Sequence, residues 1–368
     1  MTTCLDLDAA AFHGLCPVTH LGVVSCEGPD AASFLHNQLS QDILGLQNQQ
    51  ARLAVFCNAK GRMQATMTVY RESEERFFLV LPLTLLAQTL KRLSMFVLRS
   101  KVKLQDCSAH VEMAAALGHS AASLGLLLGE VTPSLAAWHA GCLGALSTDL
   151  SASEARVTSR ASFWVKLYPA LGQERFLLIK PTDSLWPLPM HHLSELASER
   201  FFQSEVLSGV ATLDVASFEQ FVPQMLNMES VGAVSFKKGC YPGQEVVARS
   251  QFRGTLKRRS LLMVSEHALQ PGQAIYDRSD PREPCAQVVQ VSAMPGSGGF
   301  YVAIACFSLP SLQPQEVEWA LPKTLDLSPG IKPMTQVLWS EHLSALPPEH
   351  PPQRLGLMAL PYALLEDL

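Results

Sequence analysis

The hydrophobic periodicity of the chain changes at about Gly254, and this change limits the possible architecture more than any other feature. Before Gly254, short alternating runs are mixed with segments whose apolar residues recur every three or four positions, as in strands and amphipathic helices. After Gly254 the helical pattern fades, and β-rich runs at 260–264, 287–291 and 301–306 follow one another between Pro and Gly turns. The chain is therefore predicted to be α+β, with a small antiparallel β-barrel or sandwich at its C-terminal end.

The part before Gly254 is predicted to form two units of strands packed under helices. The first unit is predicted to hold strands at 17–26, 53–58, 62–70, 77–81 and 101–104, with helices at 31–39 and 84–98. The second is predicted to hold strands at 111–117, 163–168 and 175–180, with helices at 121–128 and 191–200. Because strands and helices do not alternate strictly, a parallel α/β sheet is excluded. We predict a discontinuous α+β domain at 1–48 and 109–253, an inserted α+β domain at 49–108, and a β-barrel domain at 254–368.

The composition fits a folded protein of several domains that is not basic overall. With 368 residues, of which 48% are hydrophobic and 17% are charged, the chain can build two or three packed cores, and extensive disorder is excluded. The first residues lack the basic and apolar regions of an export signal, and no apolar run reaches the ~20 residues of a membrane span. We therefore expect a cytoplasmic protein without a membrane segment.

Nine cysteines are scattered through the chain without a CxxC pair, at positions 4, 16, 26, 57, 107, 142, 240, 285 and 306. An odd, scattered set is typical of reduced thiols in the cytoplasm. Zinc and iron–sulfur sites need several thiolates at close spacing, so no resident metal site is predicted. For every cysteine except Cys240 we expect a buried structural thiol, which is the commonest state of an isolated cysteine.

Cys240 differs from the other cysteines because its neighbours favour a reactive thiol. It follows two lysines and a glycine at 237–239, and Pro242 stands two residues after it. Proline suits the first turn of a helix, so the spacing predicts a short helix over 242–249 whose free N–H groups point back toward the thiol. Positive charge and a helix N-terminus both favour the thiolate, which can act as a nucleophile, a redox sensor or a transient metal ligand. The sequence leaves these three roles open.

The surroundings of Cys240 are strongly basic, although the whole chain carries a formal net charge of −5. Seven lysines and arginines lie between Lys237 and Arg259, against a single acid, Glu245. Such a stretch is either a solvated loop or a site for an anionic partner, such as a ligand rich in carboxylates or phosphates. Arg249 lies four residues after Glu245, so these two can also form a purely structural pair on one helix face.

A second basic turn lies at 58–62 and contains Lys60 and Arg62. As a hairpin tip it needs no function, and it is also a weaker candidate for the wall of an anion site. Other catalytic templates are missing from the chain, which lacks GxxxxGK[ST], HExxH and GxSxG. P-loop nucleotide hydrolases, zinc proteases and α/β-hydrolases are thereby excluded. His191 and His192 have no acidic or cysteine neighbours and are predicted to be surface residues.

Residues 238–245, KGCYPGQE, resemble the signature K-G-C-aromatic-x-G-Q-E of the YgfZ-type folate-binding proteins, which are relatives of the glycine-cleavage T-protein. The similarity extends to GPDAASFLHNQLSQD at 28–42, NAKGR at 58–62, QFVPQMLN at 220–227, the lead-in at 232–236, Arg249, FRG at 252–254 and LPY at 360–362. The resemblance spans nearly the whole chain and is weakest between about 109 and 202.

The resemblance implies a three-domain ring, in which two ferredoxin-like α+β portions and a C-terminal antiparallel β-barrel surround a central folate-binding channel. It implies tetrahydrofolate or a related folate as a bound cofactor and iron–sulfur client or assembly proteins as partners, with tRNA modification affected indirectly through those clients. Cys240 would be the essential thiol, and Lys238 would be its charge partner. The folate-binding residues would be Lys60, Arg62, Asn227, Lys237, Gly239, Tyr241, Gly243, Gln244, Glu245, Arg249 and Arg253.

Two departures from the family pattern bear on function. T-proteins usually carry Glu-Ala-Gly where this chain has Leu-Ser-Gly at 207–209, and Glu205 is the carboxylate nearest to that place in sequence. No aspartate matches the one that T-proteins use in aminomethyl transfer. These departures favour an accessory folate-binding protein over the alternative, a folate-dependent aminomethyl or one-carbon transferase. Direct nucleic-acid binding ranks last, because the basic stretch offers only Tyr241 and Phe252 as stacking aromatics.

Overall fold

Three antiparallel sheets with short helices make up the protein, which confirms the predicted α+β class. The computed structural model describes residues 12–127, 140–142, 162–186, 193–252, 256–277, 280–294, 299–312, 331–333, 338–339 and 355–365. No helix in these ranges is both long enough and apolar enough to cross a membrane.

Residues 14–181 build two five-stranded sheets. In chain order their elements are β1 (Gly14–Pro17), β2 (Leu21–Glu27), α1 (Ala31–Gln38), β3 (Gln50–Cys57), β4 (Met63–Ser73), β5 (Arg76–Pro82), α2 (Leu83–Ser94), β6 (Lys103–Asp106), β7 (Val111–Leu117), α3 (His119–Leu127), β8 (Ala140–Cys142), β9 (Phe163–Ala170) and β10 (Gln173–Pro181). One sheet has the order β3-β4-β5-β2-β6, and the other has the order β1-β7-β10-β9-β8. The predicted domain boundaries at 48, 109 and 254 stay a prediction.

Strand β4 is buried on both faces and contributes to two cores. Ala65, Met67 and Val69 alternate along it and pack with apolar residues of α1 and α2. The residues between them face the second sheet, where Tyr70 stacks on Phe163 of β9 at a ring distance of 4.0 Å. Because side chains of a strand alternate between its faces, one strand serves both cores. The two five-stranded sheets therefore pack against each other through this face of β4.

The remaining described chain holds α4 (Glu199–Leu207), α5 (Gln244–Phe252) and a seven-stranded sheet. Its strands are β11 (Arg258–Ser265), β12 (Ala274–Asp277), β13 (Asp280–Ala293), β14 (Tyr301–Ser308), β15 (Ile331–Pro333), β16 (Leu338–Trp339) and β17 (Leu355–Met358), in the order β15-β17-β11-β14-β13-β12-β16. The β-rich runs predicted at 260–264, 287–291 and 301–306 fall in β11, β13 and β14 and are confirmed. Within the described ranges no pairing joins the two edge strands, so closure into a barrel stays a prediction.

The helix predicted at 191–200 is wrong in position, since the helix found here is α4. Residues 194–196 run beside β1 instead, and the Leu15 N–H donates to the Ser194 carbonyl at 2.8 Å. β1 is an edge strand, and its free backbone groups bind the neighbouring segment in an extended form. Between residues 21 and 181, the ends of the other predicted elements differ from the observed ends by at most four residues.

Candidate functional site

The thiol loop, residues 237–243, presents an exposed cysteine between buried anchors. Cys240 and Lys237 are exposed, whereas Lys238 and Tyr241 are only 9% and 6% exposed. The buried side chains fix the loop to the body of the protein. The thiol is thereby left accessible to a partner molecule.

Lys238 fastens the thiol loop to the C-terminal end of α1. Its ammonium donates hydrogen bonds to the carbonyl oxygens of His36 and Leu39, the latter at 2.7 Å. The last carbonyls of a helix have no partner within the helix and carry partial negative charge, which a cation neutralises. Burial lowers the pKa of Lys238 to about 8, while the charges of Asp42 and Cys240 act in the opposite direction. Lys238 therefore clamps α1, and its charge also acts on the thiol.

Gly243 brings the end of the thiol loop directly against the turn at 58–62. Its φ is +80°, and a Cβ at this position would lie 2.5 Å from the Asn58 carbonyl oxygen and 2.5 Å from Gly61 Cα. Gly61 has a φ of +71°, and a Cβ there would lie 2.9 Å from Val246 Cβ. Only glycine allows two backbones to approach this closely at these dihedral angles. The KGCYPGQE and NAKGR patterns therefore describe the two sides of a single contact.

The Asn58 side chain shapes the 58–62 turn, which is the predicted tip of the β3–β4 hairpin. Its Oδ1 accepts hydrogen bonds from the N–H groups of Lys60 and Arg62 at 2.9 and 3.0 Å. The Arg62 guanidinium crosses to the 220–227 segment and donates to the Gln220 carbonyl at 2.5 Å. Lys60 remains exposed beside the thiol loop. Of the two cations in this turn, Arg62 bonds the turn to the 220–227 segment, and Lys60 faces solvent.

Helix α5 follows the thiol loop but begins two residues later than the predicted start at Pro242. The Gln244 N–H donates to the Tyr241 carbonyl at 3.2 Å, so this first helical N–H is taken up within the loop. The predicted arrangement, in which free N–H groups of the first turn point at the thiol, is therefore wrong for this group. Glu245 and Arg249 are exposed on the helix.

The buried junction consists of Asn227, Glu229, Arg259 and Tyr362, which come from distant parts of the sequence. The Arg259 guanidinium donates to the Glu229 carboxylate, and both side chains are at most 5% exposed. The Asn227 Nδ2 donates to the Tyr362 hydroxyl at 3.3 Å and to the Ser260 carbonyl at 2.8 Å. The sequence left a solvated loop and an anion site open for the basic stretch, and the solvated alternative is wrong for Arg259, which pairs with Glu229 inside the protein.

Two further residues were predicted to bind folate: Asn227, which belongs to the buried junction, and Arg253. The amide of Asn227 is fully buried and bonded within the junction. Arg253 lies outside the described residues. The family-like segment that contains Asn227 thus makes a structural contact, in which the Asn227 side chain joins β11 to the closing LPY segment.

A cavity of about 60 Å³, the central cavity, lies between the two five-stranded sheets and is also lined by residues of α4. Its walls are largely apolar, with Arg175 and Glu205 among the few polar residues. The Arg175 Nη1 donates to Ser204 Oγ at 3.0 Å, and Glu205 Oε2 lies 2.5 Å from His20 Nε2. Burial lowers the pKa of Arg175 to about 10, and the Glu205 carboxylate acts against this shift. The central cavity therefore holds a buried cation and a carboxylate in apolar surroundings.

A second cavity, of about 200 Å³, is lined by residues of β2, β5, β6 and β7. Arg76 is one of its polar residues and lies 3.1 Å from Glu27 and 3.3 Å from Glu72. None of the site residues predicted from the sequence lines this second cavity. It is larger than the central cavity, but its charged groups are already paired with each other.

Comparison with known proteins connects this chain to a family. A sequence profile of the GCVT N-terminal domain family matches residues 10–163. The tRNA-modifying protein YgfZ of Photorhabdus laumondii subsp. laumondii is 31% identical over 239 residues, which make up 64% of this chain and 66% of the relative. The chain is a YgfZ homologue. The match spans just under two thirds of the relative's own length.

The overall fold of this YgfZ homologue resembles that of the T-protein. The crystal structure of glycine cleavage system aminomethyltransferase T from Bartonella henselae matches with a TM-score of 0.62, over 98% of this chain and 89% of that chain. The two sequences are 14% identical in this comparison, so the likeness concerns the fold alone. The resemblance inferred from KGCYPGQE is confirmed.

In this YgfZ homologue, Glu205 and Leu207 face different cavities. Leu207, which the sequence resemblance aligns with a glutamate of T-proteins, lines a separate cavity of about 10 Å³. Glu205 lines the central cavity. Two positions along a helix are rotated by ~200°, so these side chains leave α4 on nearly opposite sides. The carboxylate at the central cavity is therefore supplied by Glu205.

Most of the remaining cysteines of the YgfZ homologue agree with the predicted burial. Cys16, Cys26, Cys57, Cys285 and Cys306 are buried, and burial raises the pKa of each to about 12. The prediction is wrong for Cys142, which is exposed in the short edge strand β8, and for Cys107, which is half-buried. The described ranges contain no group of three or more His, Cys, Asp or Glu side chains that could hold a metal. Cys4, His191 and His192 lie outside these ranges.

Proposed function

We propose that this YgfZ homologue is a folate-binding accessory protein in the assembly or repair of iron–sulfur clusters. It would affect tRNA modification indirectly, through client enzymes, with Cys240 as the essential thiol. The observation that carries the proposal is the exposed Cys240, on a loop that Gly243 and Lys238 hold in place. A thiol beside a cation suits transient bonding to a soft metal centre of a client. The name of the relative, tRNA-modifying protein, supports the part of the proposal that concerns tRNA.

Replacement of Cys240 by serine tests the role of the thiol. In cells that lack the native protein, an iron–sulfur enzyme should be active with the wild-type chain and lose most of its activity with Cys240→Ser, because serine does not form a thiolate. Cys142→Ser is the matched control, since Cys142 is also exposed but lies outside the thiol loop. Full activity of the Cys240→Ser variant at equal protein level would sink the proposal.

The central cavity has suitable groups for a pterin ring. Glu205 offers a carboxylate that can accept two hydrogen bonds from an aminopyrimidine edge, and Arg175 offers N–H donors to a ring carbonyl. Apolar walls such as Leu53 and Phe201 suit the faces of a planar ring. The volume of about 60 Å³ is below the roughly 300–1,000 Å³ of ordinary ligand pockets. We therefore expect the cavity to widen when a folate binds.

Titration of tetrahydrofolate into wild-type protein and Glu205→Gln tests this site. We expect saturable binding to the wild type and binding at least about tenfold weaker to Glu205→Gln, because a hydrogen bond to a charged group contributes ~1.5–3 kcal/mol. Leu207→Glu is the control for position, since a carboxylate at 207 faces the other cavity and should not strengthen binding. Equal affinities of the wild type and Glu205→Gln would show that the ring does not bind here.

The exposed cations around the thiol loop extend the proposed site. Lys60, Lys237 and Arg249 are exposed and can hold carboxylates of a folate or acidic groups of a client. Thr66 lines the central cavity, five residues along the chain from Gly61, and this separation corresponds to ~17 Å in a strand. The first part of β4 therefore connects the two places. In this proposal the same site includes Gly239, Tyr241, Gln244 and Glu245.

The proposal also covers the wider organisation of the protein. We propose a three-domain ring of the T-protein type with a closed β-barrel, divided into 1–48 with 109–253, 49–108, and 254–368, in the cytoplasm. Direct nucleic-acid binding is not part of it. The alternative is an aminomethyl or one-carbon transferase on the same fold. Purified protein supplied with tetrahydrofolate and an aminomethyl or methyl donor should give no turnover, and measurable turnover would establish the alternative.

A further inference from the structure

The second cavity, between the two five-stranded sheets, has hydrogen-bonding groups along one wall. Ser25 of β2 pairs with Phe78 of β5 on one side and with Gln105 of β6 on the other. Residues directly opposite each other in antiparallel strands point to the same face, and all three line the cavity. Cys107 and His110, in the segment between β6 and β7, line it too. This wall therefore combines polar side chains with an aromatic ring.

The hydroxyl of Ser25 is inside the protein and has no partner there. Ser25 is 3% exposed, and its side chain makes no hydrogen bond with any other of the described residues. Burying a hydroxyl without a hydrogen bond costs free energy, so nearly all buried polar groups have a partner in the protein, in water or in a ligand. The Ser25 hydroxyl is therefore a free donor and acceptor in the wall of a cavity of about 200 Å³.

The rest of the lining is largely apolar, and its charges are paired. Phe78 of one sheet and Phe163 of the other stack at a ring distance of 5.5 Å, and Ile179 lies next to Phe163 in the second sheet. An anion in the cavity would meet the Glu27 carboxylate, and a cation would meet the Arg76 guanidinium, 3.1 Å away from it. The cavity therefore suits an uncharged molecule. A cavity of ~150 Å³ can hold benzene, so the second cavity is large enough for a small planar ring system.

We propose that the second cavity binds a small, uncharged heteroaromatic molecule with the chemistry of a free nucleobase. The ring packs against Phe78 and Phe163, since aromatic side chains suit the faces of planar rings. Its polar edge bonds to the Ser25 hydroxyl, and the Gln105 amide offers a second donor and acceptor. Gln105 and His110 are exposed, so this side of the cavity reaches the surface. The site shares no lining residue with the central cavity.

Binding of adenine, which is planar and uncharged near neutral pH, tests the proposal. An NMR titration of the wild type should give a dissociation constant on the order of 1 mM or lower. Ser25→Val keeps the shape of the side chain but removes the hydroxyl, and should weaken binding by roughly 3- to 10-fold. Thr212→Val makes a matched change in the wall of the central cavity and should leave the affinity unchanged. Benzoate, an anionic ring of similar size, should not bind.

Protection of Cys107 from alkylation gives a second readout that needs no variant. Cys107 lines the second cavity and is half-buried, whereas Cys142 and Cys240 are exposed elsewhere. At an adenine concentration about five times the dissociation constant, alkylation of Cys107 by N-ethylmaleimide should slow about sixfold, because only about one sixth of the cavities stay empty. The rates at the other two cysteines should not change, and mass spectrometry of the three peptides measures all of them.

Several results would overturn the proposal. They are the absence of adenine binding, equal binding by the wild type and a folded Ser25→Val variant, benzoate binding as tight as that of adenine, and bound adenine that leaves the Cys107 rate unchanged. Loss of binding in Thr212→Val alone would place the ring in the central cavity. If Ser25→Val does not fold, the protection of Cys107 in the wild type decides. Neither assay contains folate or a client, so both are independent of the proposed function.

Discussion

In the thiol loop the reactive and charged groups lie at the surface around a few buried anchors, whereas in the buried junction every polar side chain is inside the protein. Cys240 and Lys237 are exposed, and Asn227 and Glu229 are buried. Both regions include segments that resemble the same family: KGCYPGQE in the thiol loop, and QFVPQMLN and LPY, which supply Asn227 and Tyr362 to the junction. A polar residue within a family-like motif can therefore either belong to a reactive site or stabilise the fold. Substitutions in the junction should change stability, and substitutions of exposed loop residues should not.

The largest effect on stability is expected from Glu229→Ala in the junction. This change leaves the Arg259 guanidinium buried without its carboxylate, and breaking a buried ion pair costs ~3–5 kcal/mol. Urea unfolding measures the loss in free energy of unfolding. Glu245→Ala removes an exposed carboxylate next to the thiol loop and is the control, with an expected change within ~0.5 kcal/mol. Equal losses in the two variants would remove the distinction between the regions.

Gly243→Ala should have the next largest effect, because it acts on the anchor of the thiol loop. Its Cβ would overlap backbone atoms of Asn58 and Gly61 at 2.5 Å, and its φ of +80° disfavours any side chain, so we expect a loss of ~2 kcal/mol or more. Gly239→Ala in the same loop is the control, since its Cβ would have 3.8 Å of space. If both variants unfold at the same urea concentration, the close contact with the turn does not hold the loop.

Lys238→Met should lower the free energy of unfolding by ~1–3 kcal/mol, because the carbonyls of His36 and Leu39 lose a charged donor. Lys237→Met, at the exposed neighbouring position, is the control and should change little. A loss in Lys237→Met that matches the loss in Lys238→Met would mean that general charge, and not the clamp on α1, stabilises the loop.

The stability contributed by Lys238 should also depend on pH. Its pKa is about 8 in the folded protein, below the ordinary value of 10.5. Between these values the unfolded chain binds more protons at this site than the folded protein does, so the site makes stability rise with pH through the window. The wild-type free energy of unfolding minus that of Lys238→Met should therefore increase from pH 8 to pH 10.5. A constant or falling difference would show that the ammonium is not desolvated.

The smallest effect is expected from Tyr362→Phe, which sharpens the comparison within the junction. The hydroxyl donates to the Gly209 carbonyl at 2.8 Å and accepts from Asn227, and its loss should cost ~1 kcal/mol. Tyr301→Phe, at a half-buried position in β14, is the control, with an expected change within ~0.5 kcal/mol. Thermal or urea unfolding measures the change in each variant. Unchanged stability of Tyr362→Phe would show that the Tyr362 hydroxyl does not stabilise the junction.

The secondary structure could be predicted wherever the local pattern and the tertiary surroundings agree. The alternation in β4 was enough to find that strand, because one of its faces packs against helices. The helix at 191–200 was predicted wrongly, because the free edge of β1 binds residues 194–196 in an extended form. The local spacing of leucines does not show that a segment will pair with an edge strand that is distant in sequence.

The candidate site was only partly predictable, since burial and pairing of charges depend on the fold. The motif located Cys240 and its glycines, but a basic stretch does not reveal that Arg259 meets Glu229 inside the protein. His36 lay within the segment at 28–42 that carried part of the resemblance, yet its place beside Gly239 arises from a contact between distant segments. Sequence spacing has no information about such a contact.

The backbone contact between Gly243 and Gly61 also makes the position of the Cys240 loop depend on the folding of distant segments. The two glycines are far apart in the chain, so the contact exists only after the β3–β4 hairpin and the segment around α5 have come together. Before this contact forms, the loop that carries Cys240 is not fixed against the 58–62 turn. The exposed thiol surface therefore forms only in a chain in which the 58–62 turn and the segment that leads into α5 have both reached their folded positions.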